Sequence, residues 1–274
     1  MGWKPIPNNS HEETPVQLDD QLKFLSVAID GHVAVVTLDR PPVNAVSGAM
    51  YVEIRDFFAD FDLNLPGVRV VVLTGRGRHF CAGNDLPEFV EMTPENAPGR
   101  MKTVREAFWA IYDCPVPVIA AVNGAALGTG LAITASCDFA ICGLSAQLGC
   151  PEVAIGVMGA AKHLSRLLPQ PLVRYLYFNA EPMAAADMER FGAVLKVVPD
   201  EEVLNEAIAI ATKIARHSPA ALRTAKESMN TIESMDLKSG YEFEQRLTGQ
   251  LSGNADAREA LLARTEKRDA VFGR

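Results

Sequence analysis

The spacing of apolar residues switches along the chain between alternation, unbroken runs and helical periodicity. Across residues 22–38, two β-rich runs, LKFLSVAI and HVAVVTL, flank Asp30-Gly31, a favoured two-residue turn, which predicts a hairpin. Arg40-Pro41-Pro42 stops the second strand, because proline has no N–H to give to a ladder. Ser47 caps a predicted helix whose apolar face is Met50, Ile54, Phe57, Phe58 and Phe61, and Pro66-Gly67 ends that unit. Residues 68–74, RVVVLT after the first valine, contain the continuous apolar run VVVL, the pattern of a strand buried on both faces. A glycine-rich loop, Gly75 to Gly83, and a mobile stretch around Pro94 to Gly99 precede a helix over 102–112. That helix leads to a second buried strand, VPVIAAV, ending at Asn123-Gly124. Another glycine-rich loop opens a helix over 129–137, and short strands follow at 139–142 and 153–155.

From about Pro199 the strand signals cease, and residues 201–216, 219–234 and 241–272 carry helical periodicity. This predicts an α/β core over 21–198, a helical C-terminal region over 199–274 and a loose tail over 1–20. The tail is polar and proline-bearing, with no apolar stretch of the kind a signal peptide needs. Nor does any apolar run approach the roughly 20 residues that span a bilayer.

Composition narrows the partners. With 274 residues, 48% of them hydrophobic, the chain is long enough for one large core. A net charge of −8 argues against a nucleic-acid surface, which needs clustered Lys and Arg. The five cysteines (Cys81, Cys114, Cys137, Cys142, Cys150) include no CxxC pair, so free buried thiols in a reducing cytoplasm are expected, and no metal site.

The chemistry gathers at the two glycine loops, GRGRHFCAGNDL (75–86) and VNGAALGTGL (122–131), each directly after a buried strand. A loop or helix start of this kind leaves backbone N–H groups without intrahelical acceptors. The glycines also serve simply as permits for tight turns. A dinucleotide loop does not fit: Gly124, Gly128 and Gly130 lack G-x-G-x-x-G spacing, Asp138 follows too soon, and neither Tyr175 nor Tyr177 has a lysine four residues on.

The blocks VVLTGRGRHFCAGNDL, PVIAAVNGAALGTGLAI and AQLGCPEVAIG resemble the crotonase (enoyl-CoA hydratase/isomerase) superfamily, and the resemblance spans residues 22–272. It implies an α/β fold, a spiral of ββα turns with a C-terminal helical trimerisation region, assembled as a trimer or a dimer of trimers. It further implies a substrate that is an acyl-CoA thioester, with coenzyme A carried on the substrate and no other cofactor required. Two main-chain donors to the thioester oxygen map onto Asn84 and Thr129. The CoA path maps onto Ala45, Val46, Ala82, Asp85 and Leu86, with Lys267 in Glu266-Lys267-Arg268 near the phosphates and Arg76 and Arg78 as further phosphate partners. Residues after the first loop, among them Met92, Met101, Phe108 and Trp109, correspond to an acyl pocket.

Such a site suits enolate chemistry. When a proton leaves the α-carbon of a thioester, charge collects on the carbonyl oxygen, and each pre-aimed donor lowers the barrier by about 3 kcal/mol. A residue at the start of a helix adds the favourable end of the helix dipole. Thr129 stands where the family has the middle glycine of a Gly-Gly-Gly run; if φ there were positive, a β-branched residue would be costly. Hydratases of the family hold water between two glutamates. Here the first of those positions is Ala132, which cannot ionise, and the second is Glu152 in Gly149-Cys150-Pro151-Glu152. One partly buried carboxylate suffices to take a proton from one carbon and return it to another. His163, after Gly159-Ala160-Ala161-Lys162, is an auxiliary acid–base candidate or a packing histidine. The resemblance therefore implies double-bond isomerisation or atypical hydration. Acyl-CoA hydrolysis and C–C cleavage remain alternatives on the same scaffold, as does a non-catalytic CoA-binding protein.

Overall fold

The computed structural model describes residues 22–273; the expected tail over 1–20 lies outside them. The hairpin forms from β1 (Leu25–Asp30) and β2 (Val33–Leu38). Its turn is Gly31-His32 rather than Asp30-Gly31, because Asp30 pairs with Val33 and Gly31 supplies the positive φ of +56°. Ser47 caps α1 (Gly48–Ala59) through a hydrogen bond from the Met50 amide, and the short α2 (Phe61–Asn64) follows.

The buried run becomes β3 (Val70–Gly75), followed by α3 (Leu86–Val90) and α4 (Ala97–Tyr112). α4 starts five residues earlier than expected. Pro98 sits in its first turn, where a missing N–H costs nothing, so the stretch anticipated as mobile is partly helical. β4 (Val118–Val122), β5 (Ala126–Leu127), α5 (Thr129–Ser136), β6 (Phe139–Gly143) and β7 (Gln147–Gly149) complete the centre of the chain.

The strand expected over 153–155 is instead part of a 3-10 turn, Pro151–Ile155. Pro151 favours a helical start, Gly156 closes the turn at φ +75°, and Val153 and Ile155 are exposed rather than packed. Elements that the periodicity did not resolve follow: α6 (Ala161–Leu167), α7 (Gln170–Asn179), β8 (Met183–Ala184), α8 (Ala185–Arg190) and β9 (Lys196–Val198). The C-terminal helices are α9 (Val203–Ala215), α10 (Pro219–Ile232), α11 (Leu237–Leu251) and α12 (Ala255–Glu266). The single helix expected over 241–272 is two, broken at Gly253 and restarted by Asn254, whose side chain caps α12.

Among the described residues the strands form a sheet ordered β1-β2-β3-β4-β6-β9 and a small sheet ordered β5-β7-β8. In the larger sheet only the β1–β2 pair is antiparallel. Alternation across the pleat sorts its side chains into two cores. Val71, Leu73, Val118 and Ala120 face α1 and α4, whereas Val70, Val72, Ile119 and Ala121 face α9. α9 meets the sheet with Val203, Ala207, Ala211 and Ala215, a four-residue ridge of mostly small side chains. α10 is anchored by Lys226, which is 3% exposed and 2.7 Å from Asp138, while the other Asp138 oxygen accepts the Val118 amide.

One side chain ties the segment after β2 to the first glycine loop. Asn44 is fully buried at φ +54°; it accepts the Arg40 amide and donates to the carbonyls of Arg76, His79 and Phe80. Asn44→Ala leaves these groups unmatched and places alanine in the left-handed region, so urea unfolding is expected to show a loss of about 3 kcal/mol. A wild-type midpoint would show that the knot is dispensable.

Candidate active site

The two glycine loops are bonded to each other edge to edge. The Cys81 amide donates to the Ala125 carbonyl and the Leu127 amide donates to the Cys81 carbonyl, both at 3.0 Å. Close approach demands glycine. A Cβ on Gly130 would lie 2.1 Å from the Cys81 carbonyl oxygen, and one on Gly124 would lie 2.0 Å from that of Arg78. On its other side the second loop pairs through β5 with β7, and the Gly128 amide donates to the Gly149 carbonyl at 2.8 Å. β7 leads directly into Cys150-Pro151-Glu152, so one run of main-chain bonds aligns three separate segments.

Around this frame lies a cavity of about 580 Å³, whose lining includes Asn84, Thr129 and Glu152. Its wall includes Ala45, Ala82, Asp85, Leu86, Met101, Phe108 and Ala132. The main chain on either side of Asn84 is bonded to Val46: the Val46 amide donates to the Gly83 carbonyl (2.8 Å) and the Asp85 amide donates to the Val46 carbonyl (3.0 Å). Among the described residues, the amides of Asn84 and Thr129 have no acceptor. Thr129 opens α5, where an N–H has no partner in its own helix. The unusual backbone falls on Gly128, at φ +54°, and Thr129 itself is helical, so the β-branched residue costs nothing there.

Glu152 is half-buried, and burial raises its pKa above the ordinary carboxylate value. Its Oε2 is shielded and lacks a partner among the described residues. Its Oε1 lies where a Cβ on Gly128 would come within 2.7 Å, so that glycine makes room for the carboxylate. Ala132, whose side chain is only a methyl group, lines the same cavity as Glu152.

The other expected residues divide. Val46 is buried outside the cavity and acts through its main chain, bracketing Asn84. Asp85 caps α3 and is paired with Arg40, which holds its carboxyl below the usual range and also donates to the Ala45 carbonyl at 2.8 Å. His163 does not line the cavity; it stands edge-on to Phe108, with ring centroids 5.0 Å apart. Burial, then the charge of Arg166, lowers its pKa to about 4, leaving it neutral near pH 7. Lys267 is exposed at the end of α12 and outside the cavity wall, while its neighbour Arg268 pairs with Glu259 and Glu266. Arg76 pairs with Asp39. Trp109 lies on a separate surface cavity with Arg55 and Glu106.

Sequence reading passed over Tyr51. Its hydroxyl lies 2.8 Å from Asn84 Oδ1 and 2.6 Å from Thr129 Oγ1, deep under the cavity. The available signal was a tyrosine inside the buried face of α1, since a buried hydroxyl needs a partner.

A carboxylate and two residues with unbonded amides, all lining one mostly apolar cavity, are the parts needed to move a proton beside a carbonyl whose oxygen takes up charge. The sequence pattern of the enoyl-CoA hydratase/isomerase family matches residues 28–274. The chain belongs to that family. Among relatives, a (7aS)-7a-methyl-1,5-dioxo-2,3,5,6,7,7a-hexahydro-1H-indene-carboxyl-CoA hydrolase from Rhodococcus jostii is 39% identical, covering 80% of this chain and 85% of the relative. A short-chain-enoyl-CoA hydratase from Clostridium acetobutylicum is 35% identical, covering 87% and 93%. The crystal structure of enoyl-CoA hydratase from Bacillus anthracis superimposes with a TM-score of 0.87 at 32% identity, covering 91% of this chain and 99% of that one. The fold is therefore the crotonase fold, as the glycine-loop blocks implied. No helix among the described residues is long and apolar enough to cross a membrane.

The raised Glu152 pKa has a sign that can be checked. The carboxyl binds its proton more tightly in the folded chain than in the unfolded one. The associated stability is fully present below the ordinary Glu range and is lost as pH rises through the elevated folded value. Glu152→Gln is thus expected to melt above wild type at neutral pH and to match it below about pH 4 in thermal denaturation. A variant that melts lower at neutral pH would show that the carboxylate is well solvated or paired in the folded chain.

Proposed function

We propose that this protein stabilises the enolate of an acyl-CoA thioester with the Asn84 and Thr129 amides and moves its proton with Glu152, in double-bond isomerisation or an atypical hydration. The observation that carries this reading is that Glu152 and Ala132 line the same cavity, where the other lining carboxylate, Asp85, is paired with Arg40, so Glu152 stands without a second free acid among the described residues. In isomerisation, Glu152 takes a proton from the carbon next to the thioester carbonyl of a 3-enoyl substrate. The electron pair moves onto the carbonyl oxygen, and the same carboxyl returns the proton at the far end of the former double bond. No atom is gained or lost, and no second acid is needed. Burial raises the Glu152 pKa above the ordinary carboxylate value, which makes the group a stronger base toward the substrate proton and supports this exchange.

Ala45, Ala82, Asp85 and Leu86 supply the CoA path in this reading, with Arg40 holding two of these positions in place. His163 serves as a support behind Phe108 rather than as an acid. Assembly as a trimer or a dimer of trimers, and a cytoplasmic setting, belong to the same proposal.

Hydrolysis, of the thioester or of a carbon–carbon bond in the acyl group, is the second reading. The similarity to the indene-carboxyl-CoA hydrolases of Rhodococcus jostii and Mycobacterium tuberculosis, at 39% and 36% identity, favours it.

Incubation of 2-enoyl-, 3-enoyl- and 3-oxoacyl-CoA esters in deuterated water, followed by mass spectrometry, separates the two. Isomerisation of a 3-enoyl ester is expected, with solvent deuterium entering and no mass of water added, and Glu152→Gln is expected to slow it about 10²- to 10⁴-fold. Gain of water with release of free CoA thiol, or with a new carboxylate on an intact thioester, establishes hydrolysis instead. Unchanged turnover in Glu152→Gln overturns the assignment of the proton shuttle.

A further inference from the structure

We propose that Tyr51 is a positioning residue whose buried hydroxyl joins the side chains of Asn84 and Thr129 and thereby sets the direction of the two amides that receive the thioester oxygen. This rests on the enolate reading given above and extends it to a residue outside the cavity wall.

Proton accounting gives the link a definite sense. Asn84 Oδ1 carries no hydrogen, so the Tyr51 hydroxyl donates to it at 2.8 Å. The phenol has one hydrogen only, so the 2.6 Å contact with Thr129 runs the other way, the threonine donating and the tyrosine oxygen accepting. The chain Thr129 to Tyr51 to Asn84 thus uses the tyrosine oxygen fully. Burial pushes the Tyr51 pKa well above its ordinary value, so it stays a neutral bridge.

Packing alone does not call for this hydroxyl. Tyr51 is 1% exposed, and its ring stands edge-on to Phe108 at 5.9 Å, a contact that phenylalanine would make equally well. Burying a phenol costs free energy unless the oxygen is bonded. Here its partners are the side chains of the two residues whose main-chain amides are unbonded. Those residues lie 45 positions apart, on different glycine loops. The main-chain bonds between the loops run through residues 81 and 125–127, and those of Val46 bracket Asn84, but the link through Tyr51 is what joins residue 84 to residue 129 directly. Threonine is suited to the role: its β-branched side chain has few rotamers, so holding Oγ1 also holds the residue's orientation.

The reading is tested with acetoacetyl-CoA, whose enolate absorbs in the near ultraviolet. Two aimed donors lower the pH at which the bound ester ionises, and wild type is expected to show a midpoint below that of the free ester. Tyr51→Phe, which keeps the ring, is expected to raise the bound midpoint by about one pH unit, a tenfold loss of enolate stabilisation. Its affinity for the ester at low pH is expected to stay near wild type. Thr129→Val, which keeps the branched shape and removes the hydroxyl, is expected to raise the midpoint likewise; should Tyr51→Phe fail to fold, this variant decides alone. Folded Tyr51→Phe with a wild-type midpoint, or Thr129→Val with one, overturns the positioning role. A wild-type midpoint equal to that of the free ester overturns the enolate reading itself.

Discussion

The structure depends on a main-chain approach that tolerates no side chain. Two glycine loops from different turns of the fold lie against each other at Cys81 and Ala125 to Leu127, and the second loop also pairs with β7. Any Cβ at Gly124 or Gly130 would fall inside a carbonyl group of the first loop. Because these contacts are backbone to backbone, the register of each segment is set independently of the side chains it carries. That explains how Asn84, Thr129 and Glu152, from three stretches of chain, are brought to one cavity.

Around this frame, the low polarity of the interior shapes the chemistry. Glu152 and Tyr51 are both pushed above their ordinary pKa values chiefly by burial, yet the surroundings treat them differently. Tyr51 is bonded on both sides of its hydroxyl and stays neutral. Glu152 has an oxygen without a partner among the described residues and faces the cavity, which suits a group that must change protonation state in the proposed reaction. The family likeness is compatible with several reactions of an acyl-CoA, and the proposed one-carboxylate chemistry rests on Ala132 sharing the cavity wall with Glu152.

Polar clamps hold the mouth of the cavity. Asn44 closes the segment after β2 onto the first loop, and Arg40 spans the Ala45 carbonyl and Asp85. Farther out, Lys226 on Asp138 and Arg166 of α6 on Glu233 tie α10 and its C-terminal end to the core. These are side-chain devices between distant segments, and the buried members, Asn44 and Lys226, satisfy groups that burial would otherwise leave unpaired.

Much was legible in the sequence where a pattern is local. Alternation and unbroken apolar runs marked β2, β3 and β4; Ser47 marked the start of α1; and the paired glycine loops pointed to the family and hence to the fold. Local pattern failed where a short segment takes its conformation from its neighbours. Residues 153–155 look like a strand but turn after Pro151, β8 and β9 are too short to show a period, and a single glycine at 253 splits what reads as one helix. Only the tertiary structure placed Lys267 away from the cavity, set His163 behind Phe108, and brought Tyr51 under the two loops. The reason is physical: periodicity records which face of an element is buried, whereas the partner of a buried hydroxyl or imidazole is settled by segments far away in the chain.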